Sequence, residues 1–192
     1  MFAPLDTEER LAHAPRDRTV KGMVLESIAE VVVESCGRAE ARIGPYMAFA
    51  DYPIHELLEL LPRAASLAFP HMPQRKAMCF MGRRAFFAIR RSMAGKALFA
   101  IAGRRFESAL PLVTRAYSMV SGANVRLAHS GPNEAVVELR DIWAYPDCYH
   151  PGLFEAALDD YETQGLVLVR RLSLCDVDVG IQWTPRSRPP AI

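Results

Sequence analysis

The sequence is short of every feature that would name a chemistry outright. It has four cysteines, at positions 36, 79, 148 and 175, too few and too scattered for a disulfide scaffold. It has no apolar run near the roughly 18–20 residues of a membrane span: Met78–Met81 is soon interrupted by Arg83, and Ala97–Ala102 lies between Lys96 and Arg104. The beginning, MFAPLDTEERLAHAPRDRTVKG, has no basic segment leading into an apolar one, so no secretory signal is expected. G-x-S-x-G, P-loop and G-x-G-x-x-G motifs are all missing. So is any Cys-x-x-Cys that could complete a zinc site around Cys148 and His150. These absences predict a cytoplasmic protein with reduced thiols, no metal and no cofactor.

What is present suits one sizeable core. Of 192 residues, 51% are hydrophobic and 23% charged, well above the apolar content of a disordered chain. A chain of this length buries roughly 70% of its unfolded surface without staples. The formal net charge is only +1, which argues against a basic coat for nucleic acid. That total hides a pattern. Residues 1–70 carry 7 Lys+Arg against 11 Asp+Glu, a net −4, and residues 127–192 carry 5 against 10, a net −5. Residues 71–126 carry 11 basic groups against the single acid Glu107, a net +10. Nine of those eleven are Arg, the residue suited to bidentate contact with phosphate or carboxylate. Two readings stay open. The block is neutralised by its own acidic flanks, or it faces an anionic ligand or an acidic protein surface.

Periodicity divides the chain. Residues 1–18 lack it and are expected to be a flexible arm or a short helix. A helical half then covers 19–122 and a sheet half 123–184, followed by a basic, Pro-rich tail at 185–192. In the helical half, Val20, Met23, Val24, Ile28 and Val31 recur at helical spacing up to Cys36-Gly37. A second short helix is expected over Ala39–Ile43. Asp51 suits an N-cap and Pro53 a first helical turn, with a kink or break predicted at Pro62. Residues 73–102 read as a helix, as do Phe106–Val120, with Pro111 a candidate for the true start.

After Gly122 the period shortens to two. Strands are expected at Asn124–His129 and Ala135–Trp143, joined by the turn Ser130–Asn133. A helix follows at Pro151–Thr163, ended by Gly165. Two more strands, Leu166–Leu174 and Asp176–Trp183, complete the sheet. The fold predicted is α+β. Its N-terminal helical half packs on a four-stranded antiparallel sheet in the order strand-strand-helix-strand-strand.

The start TVKGMVLESIAEVV resembles the opening of haem–nitric-oxide-binding (H-NOX) domains, in which a Lys-Gly dipeptide precedes the first helix. The segment MGRRAFFAIRRSMAGKALFAIAG resembles a paralogous domain-of-unknown-function family expanded in myxobacteria. The end, GANVRL with its hairpin and then YHPGLFEAALDDYETQG, is similar to both, and to vinyl-reductase-like ligand-binding domains. The resemblance spans roughly residues 19–184. It implies the α+β fold and a pocket between helices and sheet. Two departures stand against haem. The haem sensors' axial His belongs on the helix before the hairpin, and Phe106–Val120 contains none. Their Tyr-x-Ser-x-Arg motif has no counterpart in VVELRDIW at 136–143.

The expectation is therefore a non-enzymatic regulatory or sensory domain without haem. It would bind a small apolar or anionic ligand, or a protein partner. Arg83, Arg84, Arg90 and Arg91 are the candidates for an anionic group, with Phe80, Phe87 and Trp143 as apolar walls. The alternative is a protein-interaction or homodimerisation module with no small ligand. A third, enzymatic arrangement would have to assemble Cys148, His150 and Asp147 in space.

Overall fold

The computed structural model describes residues 4–37, 43–101, 103 and 105–185. The expected helix at Ala39–Ile43 and the tail beyond 185 fall largely outside these residues, as does Arg104 of the basic block. Helix α1 (Thr7–His13) leads into strand β1 (Thr19–Lys21) and helix α2 (Gly22–Cys36). Strand β2 (Asp51–Pro53) pairs antiparallel with β1, Val20 opposite Tyr52. Helices α3 (Ile54–Ala68), α4 (Gln74–Arg91), α5 (Met93–Ile101) and α6 (Phe106–Ser121) follow. Then come β3 (Asn124–Ser130), β4 (Glu134–Arg140), helix α7 (Tyr149–Asp160), β5 (Thr163–Arg171) and β6 (Val177–Pro185). The last four strands form one antiparallel sheet in the order β3-β4-β6-β5. This is the α+β arrangement read from the sequence, with the helix inserted between the two strand pairs. Among the described residues, no helix is long and apolar enough to cross a membrane.

Local differences from the sequence reading have identifiable causes. Of the two alternatives for the start of the chain, a short helix is found: α1 carries Arg10, which is 1% exposed and donates to the carbonyls of Trp143, at 3.2 Å, and Leu174. Thr19–Lys21 is strand rather than helix. Lys21 pairs with Asp51 at 2.8 Å across the two-stranded ribbon, so Asp51 belongs to β2 and Pro53, not Asp51, occupies the N-cap position of α3. Helix α3 continues through Pro62 without a break. The proline's missing N–H frees the Leu58 carbonyl, and the Tyr145 hydroxyl takes that carbonyl at 2.9 Å, which removes the usual cost of a buried orphan acceptor.

Other boundaries move for similar reasons. The expected helix over 73–102 divides at Ser92. The Ser92 N–H caps α4 on Ala88 and Ile89, and its hydroxyl accepts the Gly95 N–H at 3.0 Å. Helix α6 runs through Pro111, starting at Phe106 as first expected. Helix α7 starts two residues before Pro151, which falls inside the first turn where its lost N–H costs nothing. The chain turns out of α7 at Glu162, at φ 51°, so Gly165 lies in β5 rather than ending the helix.

Two apolar cores result. One joins α2, α3 and α4 through residues such as Ile28, Leu58, Leu61 and Met81. The other lies under the sheet, where Val177, Val179, Ile181 and Trp183 of β6 meet Phe106, Leu110, Phe154 and Leu158. This is the alternation read along β6, with Asp178, Gly180 and Gln182 on the other face. The halves are joined where α7 crosses α4. A Cβ on Gly82 would stand 2.1 Å from the Tyr149 carbonyl oxygen, and one on Gly152 would stand 1.9 Å from that of Cys79. Each helix therefore rests backbone to backbone on the other's glycine.

A candidate ligand cavity between the helices and the sheet

Between the two cores lies a cavity of about 470 Å³, within the usual range of small-molecule sites. Its helical wall is Met23 and Val24 of α2, Ile54 and Leu57 of α3, and Phe86 and Ile89 of α4. Helix α6 closes one side with Phe106, Leu110, Ala116 and Tyr117, and α5 adds Phe99. The loop after β4 contributes Ile142, Trp143 and Ala144, and α7 contributes Tyr149, His150, Leu153 and Phe154. The glycine crossing sets the orientation of α7. With Gly152 against α4, the strips Tyr149–Leu153–Ala157 and His150–Phe154 line the cavity.

The walls are almost wholly apolar, and a buried group of polar side chains is formed by Tyr117, Tyr149 and His150. The Tyr117 hydroxyl lies 2.6 Å from His150 Nδ1. The Tyr149 ring stands edge-on to the imidazole, centroids 5.3 Å apart. Tyr149 is 2% exposed and His150 5%. Neither the Tyr149 hydroxyl nor His150 Nε2 has a hydrogen-bonded partner among the described residues. Burial pushes the His150 pKa down to about 3, against a smaller opposing effect of the Ala144 backbone, so the imidazole is neutral at physiological pH. Burial likewise raises the phenols of Tyr117 and Tyr149. This has a consequence for stability. The folded His150 pKa lies below the unfolded value of about 6.5, so its contribution is complete above that value and is lost as pH falls toward about 3. We expect urea-unfolding stability to drop by up to about 1.4 kcal/mol per pH unit within that window, and His150→Phe to flatten the slope. An unchanged slope in the variant would refute a neutral buried imidazole.

At one end the cavity shares Arg18, Lys21, Val120 and Ser121 with a polar cleft of about 440 Å³ that also includes Asp17 and Asp51. Both cations are engaged. Arg18 pairs with Asp141 and bonds the Gly122 carbonyl at 3.2 Å, while Lys21 pairs with Asp51. The cleft is not an anion trap.

The arginines singled out from the sequence do not line the cavity. Arg83 reaches Glu155 at 2.8 Å and Asp159 at 2.5 Å. Arg84 pairs with Glu34 at 2.7 Å, Arg90 with Asp160 at 2.5 Å, and Arg91 with Glu30 and Glu34 at 2.7 and 2.8 Å. The basic block thus meets both acidic flanks, α2 on one side and α7 on the other. Of the apolar candidates, Trp143 lines the cavity, its Nε1 donating to Asp141 at 2.7 Å. Phe80 packs edge-on against Phe69 and Phe87 against Phe86, outside the lining.

Cys148, His150 and Asp147 adjoin in sequence but face different partners. Asp147 turns to Arg10, Arg75 and Arg171, and His150 turns to Tyr117. Burial pushes the Cys148 thiol up to about 12, with Asp147 adding to the effect, which removes it as a nucleophile at neutral pH. Among the described residues, no cluster of His, Cys, Asp or Glu could hold a metal ion. Sequence reading missed Tyr117 and Tyr149. The available signal was the phase of α7: starting the helix at Tyr149 places 149, 150, 153, 154 and 157 on one side.

The donor set departs from that of the haem sensors: the imidazole on the cavity wall is His150 of α7, bonded through Nδ1 to Tyr117. Helix α6 supplies no His. Arg18 and Lys21, the cations lining the cavity, are already paired with carboxylates. Two propionates there would meet Asp17, Asp51 and Asp141 rather than free arginines.

Residues 14–184 match the family described as a protein of unknown function (DUF2378). No curated protein matches the chain. Among solved structures it is similar to an oxygen-binding H-NOX domain related to soluble guanylate cyclases, in its oxygen complex. The TM-score is 0.67 at 12% identity, covering 90% of this chain and 100% of that one. It is also similar to the Fe(II) unliganded H-NOX protein from K. algicida, with a TM-score of 0.64 at 14% identity, over 86% and 97% of the two chains. An H-NOX protein from S. oneidensis, in a triple-substituted form, gives 0.64 at 14%, over 85% and 96%. Identities this low establish a shared fold alone.

Proposed function

The chain belongs to the DUF2378 family of proteins of unknown function, and we propose that it is a non-enzymatic binding domain of sensory or regulatory type, holding a small, largely apolar molecule without haem. The observation that carries this reading is the cavity of about 470 Å³, walled by apolar side chains from both halves of the fold. A molecule seated there touches α2, α3 and α4 on one side and α6 and α7 on the other. Its free energy of binding therefore acts on how the halves sit together, which is what a regulatory domain needs. The sensory role rests on the likeness of fold to the oxygen-binding H-NOX domain. The absence of haem rests on the donor set.

Titration of the purified protein with Nile red tests the cavity. One saturable site is expected. Ala116→Trp, which fills the cavity from α6, is expected to weaken it by about tenfold or more, with unchanged circular dichroism. No saturable binding, or binding indifferent to that substitution, would refute the reading. In a parallel titration with hemin, a shifted Soret band at one equivalent would overturn the haem-free assignment.

A further inference from the structure

We propose that the molecule held in the cavity is uncharged and carries one oxygen acceptor, a ketone or ether oxygen, which the Tyr149 hydroxyl and His150 Nε2 hold between them. This deepens the cavity reading and rests on it. Buried polar atoms in folded proteins are nearly always paired, and an exception calls for an explanation. Here there are two on adjacent residues, both on walls of the same cavity. Each residue is more than nine-tenths buried. Leu153, Phe154 and Ala157 continue the same face of α7 without a side-chain acceptor, and the nearby Ala144 backbone does not reach hydrogen-bonding geometry with Nε2.

The chemistry of the pair selects the ligand group. Tyr117 is a neutral phenol 2.6 Å from His150 Nδ1. With that phenol donating to Nδ1, the ring proton sits on Nε2, which becomes a donor. The Tyr149 hydroxyl is a donor as well. Two donors without acceptors suit one oxygen with two lone pairs. Charge is selected against from both directions. The imidazole stays neutral, so it offers a carboxylate no counter-ion. The cations lining the cavity, Arg18 and Lys21, are already paired with Asp141 and Asp51. A carboxylate would be desolvated without compensation.

The test uses the intact protein and three probes of similar shape: tetralin, α-tetralone and α-naphthoate, each followed by displacement of Nile red. In Tyr149→Phe, α-tetralone is expected to bind about 3- to 10-fold more weakly while tetralin is unchanged. In the unaltered protein, α-naphthoate is expected to bind most weakly. A second measurement does not depend on the variant. Nitrogen chemical shifts of the His150 ring should move at Nε2 on saturation with α-tetralone, and not with tetralin. The proposal is overturned if Tyr149→Phe weakens both neutral probes alike or neither. It is also overturned if Nε2 ignores α-tetralone, or if α-naphthoate binds best. In each of those cases tetralin still binds and the cavity reading survives. If none of the three displaces the dye, the cavity reading fails and takes this proposal with it.

Discussion

Gly82→Ala is expected to destabilise the protein by about 3 kcal/mol, and Gly152→Ala by as much. The sign is opposite to what helix propensity alone gives. An interior Gly→Ala in a helix ordinarily stabilises by up to about 1 kcal/mol. At these positions the new methyl has nowhere to go. It would stand 2.1 Å from the Tyr149 carbonyl oxygen in one case and 1.9 Å from the Cys79 carbonyl oxygen in the other. Both neighbours are backbone, so no rotamer change relieves the contact and the helices must separate. That separation also moves Tyr149, His150 and Leu153, which line the cavity. Urea unfolding reads the stability, and Nile red affinity reads the displacement of α7. Gly44→Ala is the control, since nothing lies within 4 Å of its added Cβ. It should change stability by less than about 0.5 kcal/mol. Equal effects at all three glycines would show that the α4–α7 crossing is not the constraint.

The second large effect is expected at Asp147. Its side chain is 3% exposed and lies 3.1 Å from Arg10 Nη2, with Arg75 also paired and Arg171 at 3.5 Å. Burial by itself would raise the carboxyl pKa, but Arg75 and Arg10 outweigh it and hold the group below the usual range. Asp147→Asn leaves the Arg10 guanidinium buried without its counter-ion, at an expected cost of about 3–5 kcal/mol. Adding Arg10→Met should recover part of that loss, because the stranded charge goes with it. If the double variant were as unstable as the sum of the single ones, the pair would not be coupled. Acid should mimic the substitution. The folded pKa is depressed, so the carboxylate's contribution is complete above the unfolded value of about 4. It is lost as pH falls through the lower folded value. This window lies below the upper part of that of His150, so the loss on acidification should come in two stages.

The same two features explain where the sequence could and could not be read. Val177, Val179, Ile181 and Trp183 announced a half-buried strand because a period of two needs no partner to be visible. A glycine in a helix, such as Gly82 or Gly152, does not say which backbone approaches it. The arginines show the limit most clearly. Arg83, Arg84, Arg90 and Arg91 stand out by density of charge, and density cannot distinguish a ligand site from an internal seam. The acids that meet them come from Glu30 and Glu34 of α2 and from Glu155, Asp159 and Asp160 of α7, some 50 to 76 residues away in the chain.

The sequence alone determined the α+β class, the order of the four strands around an inserted helix, the likeness to H-NOX domains and the acidic–basic–acidic layout of charge. All of these are properties of local period or of order along the chain. Tertiary structure alone decided three further things. Arg83, Arg84, Arg90 and Arg91 of the basic block are met by its own flanks. Pro62 is carried within α3 by the Tyr145 hydroxyl. Tyr117, Tyr149 and His150 come together as a buried polar group on the cavity wall. Each depends on contacts between residues far apart in sequence, and such contacts exist only once the helices have crossed and the sheet has closed beneath them.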